Sequence, residues 1–121
     1  MSQFNRRDSL KSLAALGAAG TLGVLSPLAR AQKPLTVGVI YVGPRDDYGY
    51  NQAHAQAAAE VKKMPGIKVV EEENVPETAA VQKSMTGMIM QDGAKLLFPT
   101  SFGYFDPHLL ALAAKYPDVR F

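Results

Sequence analysis

The chain has 121 residues, contains no cysteine and carries a formal net charge of +2. The lack of cysteine excludes disulfides, thiolate metal sites and a lipid-modified cysteine, so the mature protein is expected to be soluble without a lipid anchor. Four of the 13 basic residues but only one of the 11 acidic residues precede residue 32, which leaves nine against ten. This near-neutral remainder gives no support for nucleic-acid binding.

We interpret residues 1–31 as a signal peptide. Arg6 and Arg7 open a basic stretch, an uncharged apolar run covers residues 13–25, and residues 29–31 supply the small side chains of a cleavage site before Gln32. The run is too short to span a bilayer. The basic start resembles a twin-arginine export signal, with the general export route as the alternative. A first helix of the folded domain is disfavoured because the segment lacks a polar face. The mature protein is therefore expected in the periplasm.

Strands and helices are predicted to alternate along residues 32–121. The near-continuous apolar run at residues 35–42 predicts a strand that is buried on both faces. Residues 51–64 follow as a helix, which Pro65 and Gly66 end. The predicted apolar stripe of this helix consists of Ala53, Ala57, Val61 and Met64.

The second half of the chain continues the alternation. Residues 67–73 predict an edge strand that turns acidic at its end. Residues 95–98 predict a third strand, and residues 119–121 resemble the start of a fourth. Two helices are predicted between these strands from the apolar spacing of Val81, Met85, Met88 and Ile89 and then of Leu109, Leu112, Ala113 and Tyr116.

This βαβαβαβ order predicts an α/β fold in which a parallel sheet lies between two layers of helices, joined by right-handed crossovers. In the strand order 2-1-3-4, strands one and three are neighbours. The loops at residues 41–52 and 100–106 then lie side by side beyond the carboxyl ends of the strands. Ligands bind at this position in open α/β sheets.

The loop at residues 41–52 contains candidate ligand-binding residues. Tyr50 can stack on a flat ring, and the amide of Asn51 can donate and accept hydrogen bonds at once. Asp46 or Asp47 can accept hydrogen bonds from hydroxyl or amino groups. The alternative is that these acids form turns or cap the following helix and that Tyr50 covers the core.

Short motifs along residues 34–121 resemble the basic membrane protein family, the substrate-binding proteins of ABC importers that include purine nucleoside receptors. The motifs are Val42-Gly43-Pro44, Asp46-Asp47-Tyr48-Gly49-Tyr50-Asn51-Gln52, Asn74-Val75-Pro76-Glu77, Thr100-Ser101-Phe102-Gly103-Tyr104 with Asp106-Pro107, and Tyr116-Pro117-Asp118-Val119-Arg120-Phe121. The resemblance implies a type 1 periplasmic-binding-protein fold, in which two α/β lobes close on a ligand. Family members are longer, so residues 32–121 are expected to be a partial first lobe.

The resemblance also implies a function and a set of site residues. It places Tyr50 and Asn51, after Asp46 and Asp47, in a pocket for a purine nucleoside or nucleobase. In the second loop the lower-ranked candidates for the pocket wall are Ser101, Phe102 and Tyr104. The alternative for Phe102 is that it packs in the core or at the interface between the lobes.

The function expected from the sequence is therefore that of a monomeric periplasmic receptor that delivers a purine to a membrane ABC permease without catalysis or a cofactor. His54 and His108 do not share a metal-ligand spacing, so no metal is expected. An exported α/β enzyme is the first alternative. It is disfavoured because the chain lacks a glycine-rich nucleotide motif and a Gly-x-Ser-x-Gly elbow. A ligand-sensing receptor lobe is the second alternative.

Overall fold

The computed structural model describes residues 32–121, in which strands and helices alternate as predicted. The predicted signal peptide lies outside the described residues. The strands are β1 (Leu35–Ile40), β2 (Ile67–Glu72) and β3 (Leu96–Pro99), and the α-helices are α1 (Tyr50–Lys62), α2 (Ala79–Met90) and α3 (Leu110–Lys115). Between β3 and α3 lie a 3-10 turn at Phe102–Tyr104 and a helical segment at Phe105–Leu109, which a non-helical Asp106 interrupts.

The sheet is parallel, and β1 is its central strand with β2 and β3 on either side. Beyond β3, Arg120 forms a parallel bridge with Leu96, and the backbone N–H of Leu97 donates to the Arg120 carbonyl at 2.8 Å. The predicted fourth strand therefore begins beside β3. The order β2-β1-β3, with this bridge beyond β3, agrees with the strand order 2-1-3-4 considered from the sequence.

The side chains of β1 alternate between two cores on opposite faces of the sheet. Val37 and Val39 pack on one face with Ala58 of α1. Ile40 packs on the other face, where α2 contributes Val81, Met85 and Met88 and α3 contributes Leu112. The helices thus form a layer on each face, as the sequence predicts for a doubly covered sheet.

The predicted buried stripe of α1 is wrong for three of its four residues, and the fourth, Val61, is partly buried. Ala53, Ala57 and Met64 are exposed, and the buried residues of the helix are Asn51 and Ala58, with Ala55 partly buried. Alanine occupies positions 53, 55, 57, 58 and 59, so the helix offers little difference in hydrophobicity from one face to another. The orientation of α1 is set by its packing on the sheet rather than by its own pattern.

Close packing above β1 requires a glycine at position 38. A Cβ atom there would overlap a methyl group of Leu97 and lie 2.6 Å from the sulfur of Met88. We predict that Gly38→Ala lowers the free energy of unfolding by about 1–3 kcal/mol, the usual cost of overpacking a core. Urea denaturation of the whole protein, followed by circular dichroism, measures the change.

Gly87→Ala is the matched control. Gly87 lies inside α2, and a Cβ atom added to it meets no atom within 4 Å. This variant should be more stable than the wild type by about 0.5–1 kcal/mol, because alanine is the better helix former. Equal stabilities of the two variants would contradict the packing described for Gly38.

Candidate functional site

A crevice opens between the two loops that the strand order brings together. It lies beyond the carboxyl ends of β1 and β3 and has a volume of about 300 Å³. The residues that line it are Tyr50, Pro99, Thr100, Ser101, Phe102, Phe105 and Leu109. The lining combines aromatic rings with the hydroxyl groups of three residues, which suits a flat ligand with polar edges.

Tyr50 forms the β1 side of the crevice from the first position of α1. Its side chain is 51% exposed. The imidazole of His54, one helical turn further on, packs edge to face against it, with 4.6 Å between ring centroids and 73° between the planes. This contact orients the phenol ring while half of its surface stays open to the crevice.

The carboxylate of Asp47 holds the start of α1. Its two oxygens accept the backbone N–H groups of Gly49, Asn51 and Gln52 at 2.9–3.0 Å. Gly49 occupies the N-terminal cap position and has no side chain that could accept these hydrogen bonds itself. The hydrogen bonds from Gln52 and Asn51 lower the pKa of Asp47 to about 2. The capping role considered from the sequence is therefore observed for this residue.

Asn51 connects the same loop to the end of β1. Its side-chain amide donates to Asp47 Oδ2 at 2.8 Å, and its oxygen accepts the Gly43 N–H at 3.4 Å. The residue is buried. A Cβ atom on Gly43 would lie 2.8 Å from the Asn51 nitrogen, so glycine permits this approach. Asn51 thus takes part in the internal structure of the loop behind Tyr50.

Asp46 lies on a different side of the loop. It lines a charged depression of about 440 Å³ between α1 and the end of β2, together with Arg45, Lys62, Glu71 and Glu73. Arg45 donates from its backbone N–H and from Nε to Glu73 at 3.0 and 2.9 Å, which ties the loop to the end of β2. The structure therefore separates Asp46 from the crevice that Tyr50 lines.

The second loop is anchored to the sheet and to the β2–α2 connection. Thr100 donates from its backbone N–H and its hydroxyl to the Ile40 carbonyl at 2.9 and 2.8 Å. Ser101 donates its hydroxyl to the carboxylate of Glu77, which also accepts the Gly103 N–H at 3.1 Å. Phe102 is 93% exposed at the crevice and does not belong to the core of residues 32–121.

The position of Tyr104 differs from the expected pocket wall. Its side chain is fully buried in the core beside Met85 and Leu97, and its hydroxyl donates to the Val75 carbonyl. Burial raises the pKa of Tyr104 to about 12. Tyr104 therefore does not form the pocket wall, because the 3-10 turn directs its side chain into the core and that of Phe102 outward.

Sequence reasoning missed Glu77 and four residues that line the crevice, namely Pro99, Thr100, Phe105 and Leu109. Phe105 and Leu109 line it because the segment after the 3-10 turn folds back beside Tyr50. Glu77 was not among the predicted site residues, although it accepts hydrogen bonds from Ser101 and Gly103 in the second loop. A lone glutamate in a connection carries no sequence signal for such a bond.

Within residues 32–121, no cluster of three or more His, Asp or Glu side chains is arranged to hold a metal ion. The helices of this part of the chain also lack the combined length and apolarity of a membrane span.

Comparison with known proteins places this lobe among ABC transporter components. The family model Bmp, described as "ABC transporter substrate-binding protein PnrA-like", matches residues 35–121. A purine-binding protein of Brucella abortus is 43% identical over 100 residues, which cover 81% of this chain and 28% of the relative. The chain therefore spans just over a quarter of the length of that relative.

Two solved structures are similar in fold. ABC transporter solute-binding proteins from Aeropyrum pernix and Conexibacter woesei each superpose with a TM-score of 0.56, at 28% and 25% sequence identity. The superpositions cover 71% and 70% of this chain but only 23% and 27% of those proteins. The partial periplasmic-binding lobe predicted from the sequence is thereby confirmed as the fold class.

The low pKa of Asp47 predicts a specific pH dependence of stability. Because this carboxylate titrates at about 2 in the folded lobe and near 4 when unfolded, its stabilising contribution is present above pH 4 and is lost as the pH falls towards 2. The melting temperatures of wild type and Asp47→Ala should therefore differ most above pH 4 and converge near pH 2.

Asp46→Ala is the control for this titration, because it removes a neighbouring carboxylate that accepts none of the three backbone hydrogen bonds. If the difference in melting temperature between wild type and Asp47→Ala stays constant from pH 5 to pH 2, the role of Asp47 is contradicted.

Proposed function

The chain belongs to the Bmp family of PnrA-like ABC transporter substrate-binding proteins, and from this membership we propose that the whole protein is a receptor for a purine nucleoside or nucleobase. The observation that carries the proposal is the crevice between the two loops, with Tyr50 and Phe102 on its walls. The similarity to a purine-binding protein of Brucella abortus supports the same ligand class.

The chemistry of the crevice suits a purine. The half-exposed ring of Tyr50 offers a stacking face of fixed orientation, and Phe102 offers a second apolar surface. Stacking of a base on an aromatic side chain contributes roughly 1–3 kcal/mol. Ser101 adds a hydroxyl that can accept a hydrogen bond from the ligand while it donates to Glu77.

The other residues of the first loop have supporting roles in this proposal. Asp47 and Asn51 hold the start of α1 and thereby the position of Tyr50. Asp47 and Asn51 are hydrogen-bonded to each other, so they can contact the ligand only through donors and acceptors that this bond does not use. Asp46 lies in the charged depression between α1 and the end of β2, and it reaches the ligand only if the loop rearranges.

Family membership suggests the remaining parts of the function. The receptor is monomeric, works in the periplasm after export by the predicted signal peptide, and delivers its ligand to a membrane ABC permease. A second lobe closes over the crevice, so that binding couples to a hinge movement. The cycle consists of binding and release and includes no chemical reaction.

A thermal-shift panel tests the ligand class. We predict that adenosine, guanosine, inosine or a free purine raises the melting temperature of the whole protein, because a ligand that binds only the folded state stabilises it. Sugars and amino acids serve as controls. A shift confined to those controls would contradict the purine assignment.

The contribution of Tyr50 is measured by calorimetric titration with the purine that gives the largest shift. Tyr50→Ala should weaken binding by roughly 1–3 kcal/mol because the stacking surface is lost, whereas Tyr50→Phe should retain most of the affinity. Met90→Ala is the control, since Met90 is an exposed residue of α2 outside the crevice. Equal affinities of Tyr50→Ala and wild type would remove Tyr50 from the site.

A further inference from the structure

The carboxylate of Glu77 joins two connections that are distant in sequence. Glu77 lies between β2 and α2, and its Oε1 accepts both the hydroxyl of Ser101 and the backbone N–H of Gly103. One oxygen atom thus receives two donors from the loop that forms the second wall of the crevice. These donors flank Phe102, the most exposed ring of that wall.

The backbone around Gly103 shows how closely the carboxylate is fitted to this loop. A Cβ atom added to Gly103 would lie 2.6 and 2.7 Å from the two oxygens of Glu77. The three nearest atoms that it would meet all belong to the Glu77 carboxyl group. A side chain at position 103 would therefore displace the Glu77 carboxylate from its present place.

The ends of the same loop segment have separate anchors. Thr100 is bonded to the Ile40 carbonyl on β1. Tyr104 is bonded through its hydroxyl to the Val75 carbonyl and is buried in the core. Between these fixed points, Ser101 and Phe102 line the crevice, and Glu77 accepts hydrogen bonds from the residues on both sides of Phe102.

We propose that Glu77 is a positioning residue of the ligand site, which acts through Ser101 and Gly103 to present Ser101 and Phe102 to the ligand. This inference rests on the proposed function and adds to it a residue outside the crevice lining. The role needs an acceptor oxygen at the reach of glutamate and does not need its charge.

The test is calorimetric titration of the whole protein with adenosine, guanosine and adenine. Glu77→Ala removes the acceptor and should raise the dissociation constant about fivefold to tenfold, the scale expected for losing hydrogen bonds that order a site. Glu77→Gln keeps a carbonyl oxygen at the same reach and should bind within about twofold of wild type. Melting temperatures check that each variant is folded.

The pair Glu77–Gly103 separates positioning from direct contact with the ligand. Gly103→Ala should weaken binding in the wild-type background, because its Cβ displaces the carboxylate. In the Glu77→Ala background the same substitution should have little further effect, because the atoms that it would meet are gone. Ser101→Ala combined with Glu77→Ala should likewise weaken binding by less than the product of the two single effects.

The outcomes distinguish this inference from the proposed function. Purine binding by the wild type with an unchanged dissociation constant for Glu77→Ala would overturn the positioning role alone. Equal effects of Gly103→Ala in both backgrounds would also overturn it. A wild type that binds none of the three purines would overturn the proposed function and, with it, the role of Glu77.

Discussion

The parallel pairing of β1 with both of its neighbours is the constraint on which the site depends. Ile40 is in register with Glu72 on one side and with Pro99 on the other, so the three strands end at the same level of the sheet. The hydrogen bond from Thr100 to the Ile40 carbonyl then joins residues 60 positions apart in sequence. The facing position of Tyr50 and Phe102 follows from this register, since each begins the first helical turn after its strand.

The acidic residues around the crevice contribute mainly to its framework. Asp47 accepts three backbone N–H groups of its own loop, and Glu77 accepts two donors of the opposite loop. A carboxylate that accepts several hydrogen bonds has correspondingly less capacity for a ligand. The surface that remains in the crevice is aromatic and hydroxyl-bearing. A flat ring can stack on such a surface, as proposed for the purine.

The parts of the structure that follow from hydrophobic periodicity could be predicted, and the parts that follow from local loop geometry could not. The strand and helix order, the strand order and the convergence of two loops all depend on where apolar runs begin and end. The buried face of α1 could not be predicted because its alanines differ little from one another. Phe102 and Tyr104 are two residues apart, and only the 3-10 turn determines which ring is buried. The donors that bond to Glu77 could not be predicted, because no spacing reveals its contacts with Ser101 and Gly103, whereas capping by Asp47 was one of the alternatives considered.

The first loop stores backbone strain that its own hydrogen bonds hold in place. Tyr48 has a left-handed φ of 56°, which costs a residue with a side chain about 1–2 kcal/mol. Its ring is 94% exposed, so packing within the described residues does not compensate this cost. Instead, the Tyr48 N–H donates to the Gln52 side chain at 2.9 Å, and the N–H of the next residue, Gly49, donates to Asp47. Because these bonds are made within the loop itself, they hold the Tyr50 wall in place, so that ordering this wall adds little to the entropic cost of binding.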